Sequence, residues 1–376
     1  MIPFNKPYMT GRELSYIAEA HANGHLAGNG QFSKRCCAWL EERIGSQKAL
    51  LTHSCTAALE MAAILSGVGV GDEVIMPSFT FVSTANAFVL RGATPVFVDV
   101  RPDTLNIDVT KIEAAITPRT KAIVPVHYAG VGCDMDEIME TAARHDLVVI
   151  EDAAQGLLAD YRGRPLGSIG HMAALSFHET KNIISGEGGA LLINDPRFVD
   201  RAEVVWEKGT NRSQFFRGQV DKYTWVDLGS SFLPSDLLAA VLCGQLEERE
   251  SIQARRGAIW ARYRDALQDW SEEHGVKLPT VPEHTEQPFH LFYLLLPSGA
   301  ARDRLIAHLR ERRILAVFHY VPLHLSPMGT RFGGRPGDCP VTERISACLV
   351  RLPFYNQLST GDQDRVIEAI TDFVEF

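Results

Sequence analysis

The sequence lacks the features by which a membrane or secreted protein is usually recognised. No apolar run is long enough to span a bilayer, and the N-terminal stretch MIPFNKPYMTGREL has no basic region followed by an apolar core. The seven cysteines are an odd and scattered set without a C-x-x-C pair, which argues against a disulfide framework and a zinc site. These absences predict a cytoplasmic protein with reduced thiols and no membrane partner.

Positive charge and the common ligand-binding motifs are also scarce. Lysine and arginine together number 37 against 46 aspartates and glutamates, and the formal net charge of -9 argues against nucleic acid as a partner. There is no H-E-x-x-H and no cluster of cysteine, histidine and carboxylate at ligand spacing, so we expect no metal. A G-x-G-x-x-G turn between a strand and a helix is absent too, which leaves a nicotinamide site unsupported.

The N-terminal part of the chain has an alternation of strand and helix patterns. Continuous Val, Ile and Leu runs separated by helices are typical of a mostly parallel sheet buried on both faces. The predicted strands are 49–52, 73–76, 95–100, 122–126 and 147–150, and the predicted helices are 11–24, 31–44, 56–66, 84–91 and 134–145. Ligands of such sheets bind beyond the carboxyl ends of the strands, which is where the candidate residues fall.

The C-terminal part of the chain predicts an α+β unit that follows two long helices. The long helices are expected at 236–250 and 252–268, strands at 289–296 and 315–320, and further helices at 302–312 and 366–373. A length of 376 residues suits one large domain and a smaller one. We therefore expect a large α/β domain over residues 1–250, including the N-terminal helices, and a small α+β domain over residues 251–376.

The stretch from Ser176 to Ala190, SFHETKNIISGEGGA, holds a single lysine between two apolar runs. Lys181 follows the strand end 173–175, and three glycines precede the second run, 190–193. Glycines allow another backbone to pass close by, so this is a suitable place for a reactive amine. A buried pocket lowers the pKa of a lysine toward the neutral form that attacks a carbonyl. The alternative is a solvated lysine on a loop.

An acidic residue ends one of the predicted strands. Asp152 follows the run 147–150, and a carboxylate at the mouth of a parallel strand is costly unless a cation meets it. A protonated pyridine nitrogen would be such a cation, since the carboxylate would keep the ring an electron sink; the alternative is an aspartate that caps the next turn. Gln155 and His178 are candidate hydrogen-bond partners. Phe81, which follows another strand, either covers a ring face or belongs to the core.

The segment His53–Ala58, HSCTAA, lies at a predicted strand-to-helix turn. Hydroxyl groups and free backbone N–H groups at a helix N-terminus form a site for phosphate. A plain N-cap made by Ser54 or Thr56 explains the same residue types. The segment therefore predicts either a phosphate site or a helix cap.

Taken in order, the turn, Phe81, EDAAQ at 151–155 and SFHETKN at 176–182 resemble the pyridoxal-phosphate-dependent sugar aminotransferases of the DegT/StrS family. Longer stretches, among them GDEVIMPSFTFVSTANAFVLRGA and AVFHYVPLH, resemble one member in particular, and the resemblance covers nearly the whole chain. It implies an aminotransferase of fold type I, similar to aspartate aminotransferase, that uses pyridoxal 5′-phosphate. It also implies a homodimer with active sites at the subunit interface, L-glutamate as amino donor and a nucleotide sugar as acceptor.

Carried over position by position, the resemblance makes Lys181 the Schiff-base lysine and Asp152 the partner of the pyridinium nitrogen. Gln155 matches the residue near the phenolic oxygen of the cofactor, and Phe81 matches the ring that stacks on the pyridine, with His178 as a further contact. The cofactor phosphate is expected at Ser54, Thr56, the amide of Ala57, and Ser176. In many relatives an asparagine reaches the phosphate of the neighbouring subunit; here the shorter Ser231 stands in its place.

For the nucleotide sugar, the resemblance points to a segment near residue 320 and to a polar loop. The segment contributes His319, Tyr320 and His324. The stretch 209–225 is predicted to be an extended loop, and one interpretation is a solvated surface loop. The other is that Arg212 and Arg217 bind the diphosphate, because arginine suits bidentate phosphate contacts. The carbon that is aminated, its stereochemistry and the nucleotide stay open here. A non-catalytic regulatory protein on the same fold is the alternative from another functional class.

Overall fold

The structure, a computed structural model, describes residues 1–375 and is built around one large sheet. The strands are β1 (Lys48–Thr52), β2 (Glu73–Pro77), β3 (Thr94–Val98), β4 (Thr120–Ile123), β5 (Val148–Asp152), β6 (Asp160–Tyr161), β7 (Arg164–Pro165), β8 (Met172–Ser176), β9 (Gly189–Ile193), β10 (Thr285–Glu286), β11 (Tyr293–Leu295) and β12 (Leu349–Arg351). Seven of them form the central sheet in the order β1-β9-β8-β5-β4-β2-β3.

The central sheet is parallel apart from one strand. Strands β8, β5, β4, β2 and β3 pair in parallel, whereas β9 runs antiparallel to both of its neighbours, β1 and β8. Every residue of β2, β8 and β9 is buried, as expected for strands covered on both faces. The predicted α/β class with a mostly parallel sheet is thereby confirmed.

Helices cover the sheet and build the rest of the chain. They are α1 (Glu13–Ala22), α2 (Gln31–Ile44), α3 (Cys55–Leu65), α4 (Val82–Val89), α5 (Ile112–Ala115), α6 (Met135–Arg144), α7 (Val199–Trp206), α8 (Arg212–Phe216), α9 (Asp236–Glu247), α10 (Arg249–Glu273), α11 (Gly299–Glu311), α12 (Pro340–Cys348) and α13 (Thr360–Thr371). Gly45 ends α2 with a φ of 81°, as its position after the predicted helix suggested. The helix predicted at 366–373 begins earlier, because Ser359 caps α13.

The C-terminal part has a core of its own. A buried cluster from Ile259 to Phe373 packs α10, α11 and α13 around the two-stranded sheet of β11 and β12, and Ile2 from the N-terminus joins it. Helix α10 runs from one core to the other: Ile252 packs with the residues beneath the central sheet, and Ile259 packs in the C-terminal cluster. The division of the chain near residue 250 stays a prediction.

Two predicted strands of the C-terminal part are corrected. Of 289–296 only β11 is a strand, because Phe289 has a φ of 52°, which lies outside the region that strands adopt. The stretch 315–320 forms no strand. Val317 makes only an isolated bridge to Arg351, the last residue of β12, and that strand is only three residues long.

A buried carboxylate joins the central sheet to the C-terminal part. Asp99 follows β3, and its oxygens accept hydrogen bonds from the N–H groups of Val341 at 2.9 Å and Thr342 at 2.8 Å, and from the Thr342 hydroxyl at 2.8 Å. These N–H groups belong to the first turn of α12, so the carboxylate caps that helix. Burial would raise the pKa of Asp99, but the hydrogen bonds outweigh burial and the pKa is lowered.

We expect Asp99→Ala to lower the free energy of unfolding by about 3 kcal/mol, because it leaves buried N–H donors without an acceptor. Since folding lowers this pKa, the stabilisation is present above the unfolded carboxyl value of about 3.9 and is lost as the pH falls through the folded value. Urea unfolding at neutral and acid pH measures both effects. The exposed Asp372→Ala is the matched control, and equal unfolding midpoints for the two variants would contradict the prediction.

Candidate active site

Lys181 lies in the connection between β8 and β9, beyond the carboxyl end of β8. Its backbone N–H donates to the carbonyl of His178 at 2.9 Å, and His178 forms an isolated bridge to Gly186, so the connection folds back on itself. Gly189 then begins β9 against the turn before α3, where an added Cβ would lie 2.5 Å from the backbone nitrogen of Cys55. The close backbone approach predicted for these glycines is thus confirmed at Gly189.

The side-chain amine of Lys181 has no bonded partner in the described chain. Among residues 1–375 its amine forms neither a hydrogen bond nor an ion pair. Burial lowers the pKa of Lys181, the neighbouring Cys55 and Asp152 raise it by less, and the positive charge of Arg351 lowers it further. An amine of this kind is readily deprotonated, and the neutral form is the nucleophile and the base.

Asp152 ends β5 with its carboxylate buried. The hydroxyl of Thr84 donates to one carboxylate oxygen at 2.7 Å, and the N–H of Ala154 donates to the other at 3.2 Å. Burial raises the pKa of Asp152, and those hydrogen bonds together with the charge of Lys181 oppose the rise. No arginine or lysine lies within ion-pair distance of this carboxylate in the described chain, so a cationic ligand would stabilise it.

The residue before Asp152 anchors the end of β5. Glu151 is fully buried, and its carboxylate accepts from His127 Nε2 at 2.9 Å and from the N–H groups of Gly167 at 2.9 Å and Ile169 at 2.8 Å. The N–H of Cys133 donates to His127 Nδ1 at 3.1 Å, so Nδ1 carries no proton and the imidazole is neutral. These bonds hold the strand end that carries Asp152, and neither Glu151 nor His127 was predicted as part of the site.

Three of the predicted residues come together beside this strand end. The side-chain oxygen of Gln155 accepts from the N–H of Ala129 at 2.7 Å, and its amide nitrogen lies 3.3 Å from the Tyr320 hydroxyl. The rings of Phe81 and Tyr320 are 6.3 Å apart, and 57% of the Phe81 surface is exposed. Phe81 is therefore not a core residue in this chain; its exposed ring lies beside Tyr320, which also approaches Gln155.

The turn before α3, formed by His53–Ala58, has features of both a helix cap and a phosphate site. Ser54 caps the helix, because its hydroxyl accepts from the N–H of Ala57 at 3.1 Å. The amide of Ala57 predicted for a phosphate is therefore engaged within the protein. The Thr56 hydroxyl lies 2.7 Å from the Ser83 hydroxyl, which leaves each oxygen able to take a further bond.

The other predicted cofactor residues lie around this turn. Ser176 ends β8 opposite Gly189, next to the turn. His178 is half-buried, with Nδ1 2.9 Å from the Thr180 hydroxyl. Ser231 is exposed, and the carbonyl of the following Phe232 accepts from the backbone N–H of His53. The Ser231 segment thus borders the turn of its own chain.

The two histidines predicted to contact the substrate, His319 and His324, have buried side chains. His319 is buried, with Nδ1 3.0 Å from the hydroxyl of Tyr128, and burial holds its pKa well below the usual value. His324 is 1% exposed, with Nδ1 2.6 Å from the Ser78 hydroxyl and Nε2 3.1 Å from Glu343. Both ring nitrogens of His324 are therefore engaged by groups that link the end of β2 to α12.

The stretch 209–225 is not a wholly extended loop, which corrects the prediction. It contains α8, whose aromatic residues pack against one another, with the rings of Phe215 and Phe216 5.7 Å apart. The guanidinium of Arg212 lies 5.1 Å from the Phe216 ring. Arg217 donates to Glu203 at 2.7 Å, and the arginine side chain of this ion pair is exposed to solvent.

This assembly of a half-buried lysine without a bonded partner, a buried carboxylate without a nearby cation and a helix N-terminus matches a known family. The model of the DegT/DnrJ/EryC1/StrS aminotransferase family matches residues 7–371. The chain belongs to this family. A curated relative, the spore coat polysaccharide biosynthesis protein SpsC of Bacillus subtilis (strain 168), is 37% identical and aligns over 100% of this chain and 97% of its own length.

Solved structures agree with the family in fold. DesV of S. venezuelae has a TM-score of 0.90 at 32% identity and covers 100% of this chain and 99% of its own. Spr1654 of Streptococcus pneumoniae, described as a sugar aminotransferase, has a TM-score of 0.91 at 27% identity in its PMP form, covering 99% of this chain and 98% of its own. The aminotransferase has fold type I, and relatives known in PLP and PMP forms support pyridoxal phosphate as its cofactor.

The residues of the site fit that cofactor. Lys181 supplies a free amine, and Asp152 supplies a buried carboxylate that lacks a cation and suits a protonated ring nitrogen. Hydroxyl groups gather at the N-terminus of α3, where an anion is favoured. Phe81 offers an exposed aromatic ring close to that of Tyr320. Thr84, Glu151 and Cys55 are additions that the sequence reading missed, although Glu151 lies within its EDAAQ motif.

The described chain contains neither a metal-binding cluster nor a membrane-spanning helix. Residues 1–375 contain no group of three or more His, Cys, Asp or Glu side chains placed to hold a metal ion. Within the same range, no helix combines the length and the apolar character needed to cross a bilayer. All seven cysteines are free thiols, and five of them are buried.

Proposed function

We propose that the protein transfers the amino group of L-glutamate to the C4 keto group of dTDP-4-dehydro-6-deoxy-D-glucose, giving dTDP-4-amino-4,6-dideoxy-D-galactose. This is the reaction of dTDP-4-amino-4,6-dideoxygalactose transaminase in the synthesis of enterobacterial common antigen. The observation that carries the aminotransferase chemistry is the partnerless Lys181 amine with its lowered pKa beside Asp152. The long stretches of resemblance along the chain support the choice of sugar nucleotide.

Each residue of the candidate active site has a distinct role in the proposed transamination. Pyridoxal phosphate supplies an electron-withdrawing ring that stabilises negative charge on the carbon that loses a proton. Lys181 Nζ would hold the cofactor, and its amine would take the proton from the α-carbon of L-glutamate and, in the second half-reaction, deliver a proton to C4 of the sugar. Asp152 would keep the ring nitrogen protonated, and Phe81 and Gln155 would help to hold the ring.

We further propose that His319 and Tyr320 border the sugar, with His324 holding their segment in position from behind. Arg212 and Arg217 would bind the diphosphate, across a homodimer interface. The support for a homodimer is exposed apolar surface near α8: Phe216 is 68% exposed and Trp225 is 78% exposed. An unchanged KM for the sugar nucleotide in Arg217→Ala would remove that residue from the proposal.

The experiment that tests the function is an absorbance titration of the purified protein loaded with pyridoxal phosphate. L-Glutamate should abolish the visible band of the lysine-bound cofactor, and after its removal dTDP-4-dehydro-6-deoxy-D-glucose should restore the band. Bleaching without restoration by this sugar would point to a related aminotransferase that acts at C3, on a UDP sugar or on another keto sugar. A gluco product would correct the stereochemistry alone. A band that no amino acid bleaches would favour the non-catalytic alternative.

A further inference from the structure

His290 lies where the C-terminal part of the chain meets the segment that carries Lys181. It comes shortly before β11 and is 8% exposed, and its carbonyl accepts from Arg256 of α10 at 2.6 Å, which holds the backbone in place. Nδ1 of the imidazole lies 2.8 Å from the side-chain oxygen of Asn182. Because Asn182 directly follows Lys181, this contact ties the reactive segment to the C-terminal part.

The contacts of Asn182 decide which nitrogen of His290 carries the proton. The Asn182 amide nitrogen donates to the carbonyl of Pro288 and lies 3.1 Å from the side-chain oxygen of Gln253. A backbone carbonyl only accepts, so the amide nitrogen faces Pro288 and the amide oxygen faces His290. An amide oxygen only accepts as well, so Nδ1 of His290 carries the proton and donates it to Asn182.

Nε2 of His290 is a hydrogen-bond acceptor that the protein leaves unused. Burial holds the pKa of His290 well below its usual value, and the charge of Lys181 lowers it further, so the ring is neutral and Nε2 carries a lone pair. Within residues 1–375, Nε2 forms no hydrogen bond. The nitrogen is not fully enclosed either, so a ligand with a hydrogen-bond donor can reach it.

Other buried histidines of this chain show what a structural role looks like. His127 bonds to Glu151 through Nε2 at 2.9 Å and to the backbone N–H of Cys133 through Nδ1 at 3.1 Å. Both ring nitrogens of His324 are engaged in the same way. In His290 one nitrogen is bound by the protein and the other is open. Because buried polar groups are normally satisfied, the difference indicates that a ligand donates to Nε2.

The open nitrogen belongs to the surroundings of the reacting amine. Burial lowers the pKa of His319 most, and the neighbouring Arg351, Lys181 and His290 lower it further, so His290 lies close to the lysine and to the segment proposed to border the sugar. In the proposed reaction Lys181 delivers a proton to C4 of the sugar. The groups on the carbon atoms next to C4 therefore come near His290.

The chemistry of the two substrates decides which of them suits this nitrogen. L-Glutamate offers two carboxylates, which only accept hydrogen bonds, and an amine that is the reacting group itself. The keto sugar carries a hydroxyl group on C3, next to the reacting carbon, and a hydroxyl group can donate. An imidazole lone pair attracts such a hydroxyl and repels a carboxylate.

We propose that Nε2 of His290 accepts a hydrogen bond from the C3 hydroxyl of the sugar and thereby selects a hydroxylated keto sugar. The inference rests on the proposed aminotransferase function and specifies how the acceptor is recognised. A buried acceptor that is left without its donor costs free energy, so a sugar that lacks this hydroxyl should be a poor substrate. Asn182 is a positioning residue, because it holds the imidazole in the accepting tautomer.

The test combines two variants of His290 with two sugars, using protein loaded with pyridoxal phosphate. His290→Asn keeps an amide nitrogen near the place of Nδ1, where it still donates to Asn182, but has no atom at the place of Nε2. His290→Gln puts an amide oxygen near the place of Nε2 and loses the bond to Asn182. The sugars are dTDP-4-dehydro-6-deoxy-D-glucose and its 3-deoxy analogue. The exposed His21→Asn in α1 is the matched control.

The wild-type kcat/KM should be about 10-fold higher for the hydroxylated sugar, the scale of one hydrogen bond to a buried group. In His290→Asn the two sugars should differ by less than about threefold. The KM of L-glutamate and the absorbance band of the lysine-bound cofactor should match those of the wild type. His290→Gln should keep part of the preference, and it supplies the result if the asparagine variant does not fold.

Equal use of both sugars by the wild-type protein would overturn the proposal without any variant. A wild-type preference in His290→Asn would overturn it too. Equal losses with both sugars would assign His290 a structural role, and a change confined to the KM of L-glutamate would place it on the donor side; both results contradict the proposal. If wild-type protein gives no response to L-glutamate, the proposed function itself fails, which is a separate outcome.

Discussion

Lys181→Ala is expected to lose at least about 10⁴-fold in kcat, because one substitution removes both the covalent attachment of the cofactor and the base that moves the proton. Asp152 and the hydroxyl groups around α3 are unchanged in this variant, so it should still bind pyridoxal phosphate. Its absorbance spectrum should lack the band of the lysine-bound cofactor. Stopped-flow measurement of each half-reaction checks the loss, and both half-reactions should be slowed.

Two further variants separate the chemistry of Lys181 from its charge. Lys181→Arg keeps a positive charge that is not released at accessible pH, so it should be as inactive as Lys181→Ala. Lys121→Ala, at an exposed position on β4, is the matched control and should keep wild-type activity. A Lys181→Ala protein that turns over both substrates at the wild-type rate would refute the assignment.

The parts of the fold that depend on local pattern could be predicted from the sequence. Buried strands of the central sheet are continuous apolar runs, and the glycine at position 45 marks the end of α2 because few other residues adopt its φ of 81°. The stretch 315–320 has the same apolar character but is not a strand. Whether it pairs depends on β12, which is distant in sequence and only three residues long.

The only site residues that could be predicted are those whose type and position in the sequence already indicate a chemical role. Lys181 stands alone between two buried runs, and Asp152 ends a strand. The network behind them is formed by contacts between distant residues, such as the bond from His127 to Glu151 or from Ser78 to His324. No spacing in the sequence indicates these pairs.

Asp152→Asn is expected to lower kcat about 10³-fold, the scale of losing one preorganised electrostatic contact to the developing charge. An amide cannot hold the proton on the ring nitrogen, so the cofactor withdraws electrons less strongly. The asparagine still accepts from the Ala154 N–H and remains close to the Thr84 hydroxyl, so the site should keep its shape. The loss should appear in kcat for both half-reactions.

The same substitution should stabilise the cofactor-free protein at neutral pH, which separates a lost charge from a damaged fold. Because burial raises the pKa of Asp152, folding favours its protonated form, and stability falls as the pH rises from the unfolded value of about 3.9 through the raised folded value. A neutral amide removes this dependence, so the gain should appear at neutral pH and vanish in acid. Thermal unfolding of the cofactor-free Asp152→Asn protein measures this gain in stability, with the exposed Asp269→Asn as control.

Wild-type kcat in Asp152→Asn would exclude the pairing with a ring nitrogen. A lower Tm without cofactor would instead mean that Asp152 is held in place to stabilise the fold.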